Sequence, residues 1–148
     1  MTRLLLPLLA LICLSATATH ACSCTEPPPP LDAMKDATAV FSGRVIAALP
    51  DGANGYTYTL RVYAVWKGST APESEVATSD VAMCGIWMQP GTEFLVYAGG
   101  DEGDLTTSNC SRTTPVTLAA SDLAELGEPI AVETNGSSMT MLKARYYS

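Results

Sequence analysis

Two cysteines one residue apart, Cys22 and Cys24, stand in the stretch "THACSCTEPPPP" between an alanine and four prolines. Residues 1–21 before them read as a cleaved secretory signal: Arg3 is the basic start, Leu4 to Leu14 is an apolar run, and Thr19-His20-Ala21 is a small-x-small exit. That run is too short to span a bilayer, and no other stretch is long and apolar enough. Cys13 leaves with the leader, so the odd five cysteines become an even four: Cys22, Cys24, Cys84 and Cys110. In a secreted domain an even count reads as two disulfides. Cys22 and Cys24 are too close in an extended segment to bridge each other easily, so each reaches a distant partner, and both the nested and the crossed pairing stay open. Four thiolates can also make a closed zinc site, but a C-x-C followed by two single, distant cysteines lacks the paired knuckles of that chemistry.

Removing the leader changes the balance of charge. The remaining 127 residues carry 7 basic and 15 acidic side chains, a net charge of −8. A nucleic-acid or anionic-membrane partner needs a basic patch, and none is present. The length is that of one domain with a modest core, and there is no internal repeat. His20, the sole histidine, lies in the leader. His-based catalytic triads and His-rich metal sites are therefore excluded, and no cofactor is implied. The division expected is a signal peptide at 1–21, one domain over 22–128, and a tail over 129–148 without clear period, with Met139–Tyr146 as its one strand candidate.

Most of the domain reads as β-structure. Val40–Leu49 is rich in β-branched and apolar residues and ends at Pro50-Asp51-Gly52, with a second break at Asn54-Gly55. Tyr56–Trp66 alternates, placing Tyr56, Tyr58, Leu60, Val62, Ala64 and Trp66 on one face and Thr57, Thr59, Arg61, Tyr63 and Val65 on the other. The two runs form a hairpin. Shorter strands are expected at Glu75–Thr78, Glu93–Ala98 and Asp104–Thr107. Two helices are expected, Leu31–Ala39 after the polyproline stretch, and a second around "ASDLAELG" with Thr117 or Ser121 as cap and Gly127 as stop. Trp66, Trp87 and the tyrosines read as core rather than a base-stacking platform, because no basic track accompanies them. Asp101, Glu102 and Asp104 among three glycines lack EF-hand spacing and read as a solvated turn. Asn109 and Asn135 begin glycosylation patterns, relevant in a host that glycosylates. About five strands with a helix on each side suit a small closed Greek-key barrel of the oligonucleotide/oligosaccharide-binding (OB) shape, though strand count supports a sandwich nearly as well.

Several motifs together resemble the tissue inhibitors of metalloproteinases, and more broadly the netrin-like modules that share their barrel. These are "CSC" at the expected mature start, "VFSGRV" on the first strand, "VWKG" ending the second, "MCG" at Met83–Gly85, "GTEFLVYAG" at Gly91–Gly99, and "SNCS" before the late helix. The resemblance runs from Cys22 to Leu126, and the C-x-C start is its most specific element. It implies a mainly β fold, a five-stranded Greek-key OB-fold barrel with flanking short helices and two disulfides, paired Cys22 with Cys84 and Cys24 with Cys110.

It also implies a function: a monomeric, secreted inhibitor, extracellular or periplasmic, with no catalysis of its own, no membrane span, and a zinc metalloendopeptidase as partner. In the family, the α-amine and carbonyl of the first cysteine, here Cys22, chelate the target's catalytic zinc at its open position. The next side chain, here the small Ser23, enters the specificity pocket. The implied contact ridge is Ser23, Cys24, Thr25 and Glu26, joined through the Cys22–Cys84 bridge to Ala82, Met83 and Cys84, with the Leu49–Gly55 loop alongside. The isolated protein would bind no metal. The animal inhibitors carry an apolar residue and a proline after C-x-C where this chain has Thr25-Glu26, and they add a second disulfide-rich module absent here. The competing readings are a netrin-like interaction module that touches no protease, a lipoprotein with Cys22 lipidated, against which Thr19 stands where a lipobox has leucine, and a small hydrolase restricted to acid pairs.

Overall fold

Two long strands set the architecture. β1 (Ala39–Pro50) and β2 (Gly55–Lys67) pair antiparallel from Val40↔Lys67 to Pro50↔Tyr56. The structure, a computed structural model, describes residues 22–52, 55–68 and 71–130. The expected leader, the Met139–Tyr146 strand and Asn135 lie outside them. β3 (Glu73–Ser79) lies antiparallel to β2, and β5 (Asp104–Thr106) lies parallel to β3. β4 (Glu93–Asp101) pairs with β5 and returns to β1 along Ala39↔Ala98 to Arg44↔Glu93. The order β1-β2-β3-β5-β4-β1 closes a five-stranded barrel of the OB type rather than a sandwich. A two-residue sixth strand, β6 (Thr114–Pro115), adds to β4. It was too short to leave a pattern in the sequence.

Closing so small a barrel bends β1 sharply, and the bend is made by residues inserted in the β1–β2 ladder. Pairing skips Ile46 on β1 and Tyr63 and Trp66 on β2, and such bulges raise local twist. Gly43 sits at this corner, where a Cβ would lie 2.7 Å from the Arg61 carbonyl oxygen. The insertion at Tyr63 also corrects the expected single face of β2. Tyr58, Leu60 and Val62 point into the barrel, but beyond the bulge Val65 takes the inner position, and Ala64 and Trp66 turn outward.

The barrel interior is filled from β1, β2, β3 and β4, with Met88 fully buried at one end. A second apolar layer lies outside the wall, where Val40, Trp66, Leu95 and Tyr97 are covered by Leu123 and Leu126. Two short helices make that cover, α1 (Pro30–Asp36) and α2 (Ala120–Leu126). α1 stops three residues before the expected Ala39, because Ala37 is already extended and Lys67 donates to the terminal carbonyls of Met34 and Lys35 at 2.9 and 2.7 Å. α2 stops at Gly127 as expected, but neither Thr117 nor Ser121 caps it. Ala119 holds the N-cap position, and a 3₁₀ turn, Val116–Leu118, leads into the helix. Trp66 is buried and donates its indole N–H to the Gly127 carbonyl at 2.8 Å. Trp87 is 49 % exposed, which corrects its expected place in the core. Asp101, Glu102 and Asp104 form an exposed β4–β5 turn, with Gly103 at φ 92°. Among the described residues no helix is long and apolar enough to cross a membrane.

Candidate functional site

The N-terminal strap, residues 22–29, has no regular structure. Pro27 to Pro30 fix backbone φ and make it stiff. Two disulfides fasten it: Cys22–Cys84, with a Cα–Cα distance of 5.4 Å, and Cys24–Cys110, at 5.2 Å. The four cysteines of the described residues are thus consumed as bridges rather than held as thiolates for zinc. The bridges close 62 and 86 residues of chain, each adding roughly 4 to 5 kcal/mol at most in the chain-entropy model. With residues 22 and 24 bridged to the barrel, Ser23 lies between two fastened and partly or fully exposed cysteines. Ser23, Thr25 and Glu26 are exposed, and Cys22 is half-buried.

The opposite half of the ridge is a turn built by Asp80. Its carboxylate accepts the Ala82 N–H at 2.9 Å, and its carbonyl accepts the N–H groups of Met83 and Gly85 at 2.8 and 2.9 Å. The result is a 3₁₀ turn, Val81–Met83, whose three side chains are exposed. Cys84 follows at φ 67°, a left-handed conformation disfavoured for a residue with a Cβ. Gly85 then passes so close to β3 that a Cβ there would lie 1.6 Å from the Ser79 carbonyl oxygen. Gly85→Ala should therefore cost about 2 to 3 kcal/mol by displacing backbone, read as a lower denaturant midpoint with an unchanged slope. The Cys22 sulfur lies 3.9 Å from the Ala82 carbonyl, a contact and not a hydrogen bond, because a disulfide has no proton to give. Cys22 is thus brought beside Ala82 and Cys84, and Cys24 is held on Cys110, next to the Asn109 that bonds the Cys84 carbonyl. The hairpin tip is adjacent, since Gly55 pairs with Ser79 immediately before Asp80.

A third segment completes the fastening. The Asn109 N–H donates to the Cys84 carbonyl at 2.9 Å, linking the two bridges through backbone. Loop 107–113, which carries Cys110, is fixed to β4 by buried hydroxyls. Thr107 and Thr113 are 2.7 Å apart, Thr113 accepts the Tyr97 N–H at 3.0 Å, and Thr107 donates to the Tyr97 carbonyl at 3.1 Å.

Sequence reasoning missed the clamp behind this loop. Arg112 holds the buried Asp122 of α2 with two bonds, at 2.8 and 2.6 Å, and donates to the Pro28 carbonyl of the strap at 3.1 Å. Tyr97 donates its hydroxyl to the same carboxylate at 3.0 Å. Burial opposes ionisation of Asp122, but the hydrogen bonds from Arg112 and then Tyr97 outweigh it, so its carboxyl lies below the ordinary aspartate value. Burial, reinforced by the Asp122 charge, pushes the Tyr97 phenol well above its ordinary value. The one clue in the sequence was that Arg112 is the only basic residue between Lys67 and Lys143.

The fold and site define a closed β-barrel with an N-terminal strap tied across one end by two bridges. No family model and no curated protein matches the chain.

Proposed function

We propose that this protein is a secreted inhibitor of zinc metalloendopeptidases, similar in mode to the tissue inhibitors of metalloproteinases. The observation that carries the reading is the pair of bridges at alternate strap residues, which fix Cys22 beside the exposed Val81–Met83 turn with Ser23 exposed. Processing after Ala21 gives Cys22 a free amine. That amine and the Cys22 carbonyl form a five-membered chelate on the target's catalytic zinc, in the position otherwise held by water. The protein performs no reaction. It offers a rigid segment whose amine takes the place of the water needed to cleave the Cys22–Ser23 bond, and the rigidity limits the ordering entropy lost on binding.

Four residues take roles here. Cys22 is the chelator, Ser23 the pocket residue, and Ala82 with Met83 the flanking contact. Secreted protein should begin at Cys22 by N-terminal sequencing, and any other start removes the chelator. Ser23→Gly should weaken inhibition by about threefold to tenfold and unequally among metalloendopeptidases, because pockets of different depth and polarity lose different contacts to a hydroxymethyl group. Equal inhibition constants for both proteins against several such enzymes would take Ser23 out of the pocket.

A further inference from the structure

Trp87 is a large aromatic residue left half in water, yet it is held in place. Its ring meets Tyr56 edge-on at 5.1 Å and Tyr58 at 6.1 Å between centroids. Tyr56 pairs with Thr78, two residues before Asp80, and Trp87 follows Met83 by four residues, at most about 14 Å of extended chain. Val81 and Met83 are 54 % and 48 % exposed on the intervening turn. Val81, Met83 and Trp87 thus form a strip of exposed apolar side chains on either side of Cys84, where the strap is fastened. Ordered Trp, Tyr and Met side chains at a surface have the composition of interface centres.

The charges around the strip are of one sign. Over residues 22–26, 49–52, 55–56 and 80–87 the charged side chains are Glu26, Asp51 and Asp80, and none is Lys or Arg. The basic residues of the described chain lie elsewhere or are paired, and the one that touches the strap, Arg112 at the Pro28 carbonyl, is paired with Asp122. Lys67 is on the end of α1, Lys35 on Asp32, and Arg44 lies opposite Arg61 midway along the hairpin.

We propose that this strip is a second docking element, fitting a metalloendopeptidase whose cleft is bordered by an apolar hollow and by lysine and arginine side chains. The inference rests on the inhibitory reading above and names the kind of target that reading leaves open. Trp87 fills the hollow, while Glu26 and Asp51 attract the basic rim and speed encounter. Asp80 is tied to its own turn and adds charge without moving.

The test uses two secreted zinc metalloendopeptidases, one with basic and one with acidic residues around its cleft. The unaltered protein should inhibit the basic-rimmed enzyme at least about tenfold more tightly. Its association rate should fall about tenfold between low and high salt, as steered encounters do. Glu26→Lys with Asp51→Lys should erase the salt dependence. Trp87→Ala should weaken inhibition about 10- to 100-fold. Because Trp87 also packs on Tyr56 and Tyr58, Val81→Ser at an exposed position of the same strip, which the chelating reading does not use, provides the second probe, with loss expected in the same direction. Salt-independent association together with full inhibition by both strip variants overturns the proposal, as does equal inhibition of the acidic-rimmed enzyme.

A protein extended by one alanine before Cys22 separates the two readings. If the extension removes inhibition while salt and the strip variants do nothing, the zinc reading stands and the strip falls. If the extended protein keeps Trp87-dependent, salt-dependent inhibition, the strip stands and chelation falls. If the unaltered protein binds neither enzyme, both fall.

Discussion

Adding a single alanine before Cys22 should reduce inhibition of a susceptible zinc metalloendopeptidase about a thousandfold and leave the melting temperature unchanged. The extension converts the Cys22 nitrogen into an amide, whose lone pair is delocalised and is a poor ligand for zinc. The new amine lies about 3.5 Å further along the chain and cannot close the same chelate with the Cys22 carbonyl. A thousandfold is about 4 kcal/mol, a reasonable loss for one metal bond of fixed geometry. Both disulfides, the Asp80 turn and the barrel core are untouched, so thermal unfolding serves as the control. The pH dependence has a definite sign. An α-amine of ordinary pKa near 8 is about one-tenth neutral at pH 7, so chelation costs about 1.4 kcal/mol there and that cost shrinks as pH rises toward 8. Inhibition should accordingly strengthen from pH 6 to pH 8 in the unaltered protein and show no such trend in the extended one. Equal inhibition by both proteins would show that zinc is not reached through the N-terminus, and a netrin-like interaction module would be the better description.

The sequence made the hairpin, the strand count and the cysteine framework legible for identifiable reasons. β1 and β2 are long enough for period-2 alternation to rise above noise, and Pro50-Asp51-Gly52 marks the break between them. Four cysteines, with Cys22 and Cys24 too close to bridge each other, restrict the bridges to two arrangements, and the resemblance chose the crossed one, Cys22–Cys84 with Cys24–Cys110, that the structure holds. What escaped was whatever depends on curvature or on distant partners. The inserted Tyr63 reverses which face of β2 is inward, yet nothing in "VYAVW" distinguishes a bulge from regular strand. Trp87 has the composition of a core residue but stands at the surface, while its neighbour Met88 is the one buried in the barrel core. The exposed Val81–Met83 turn owes its shape to hydrogen bonds made by Asp80 and to the bare backbone of Gly85. Arg112 and Asp122 are ten residues apart and separated by a strand fragment and a 3₁₀ turn, so their pairing has no local signature.

That pair carries the second large expectation. Asp122→Ala should cost about 3 kcal/mol at neutral pH, because it strands a partly buried guanidinium and the buried Tyr97 hydroxyl together. For a domain of this size the loss corresponds to a fall of roughly 10 °C in melting temperature. Part of the cost is electrostatic and can be titrated. The folded carboxyl of Asp122 lies below the ordinary aspartate value of 3.8, with burial opposing the shift and the bonds from Arg112 and Tyr97 overcoming it. A group whose pKa is lowered by folding stabilises fully above its unfolded value and loses that stabilisation as pH falls through the folded one. The gap between the unaltered protein and Asp122→Ala in denaturant unfolding should therefore be widest above about pH 5 and narrow below pH 3. A gap that stays constant down to pH 2.5 would assign the whole cost to lost packing under α2 rather than to the charge. Inhibition provides the complementary readout. Arg112 is hydrogen-bonded to the strap at the Pro28 carbonyl, whereas Cys24 is joined to the barrel covalently. At a temperature well below unfolding, Asp122→Ala should thus inhibit within a few-fold of the unaltered protein, since the clamp holds α2 on the barrel while the disulfides hold the strap in its place.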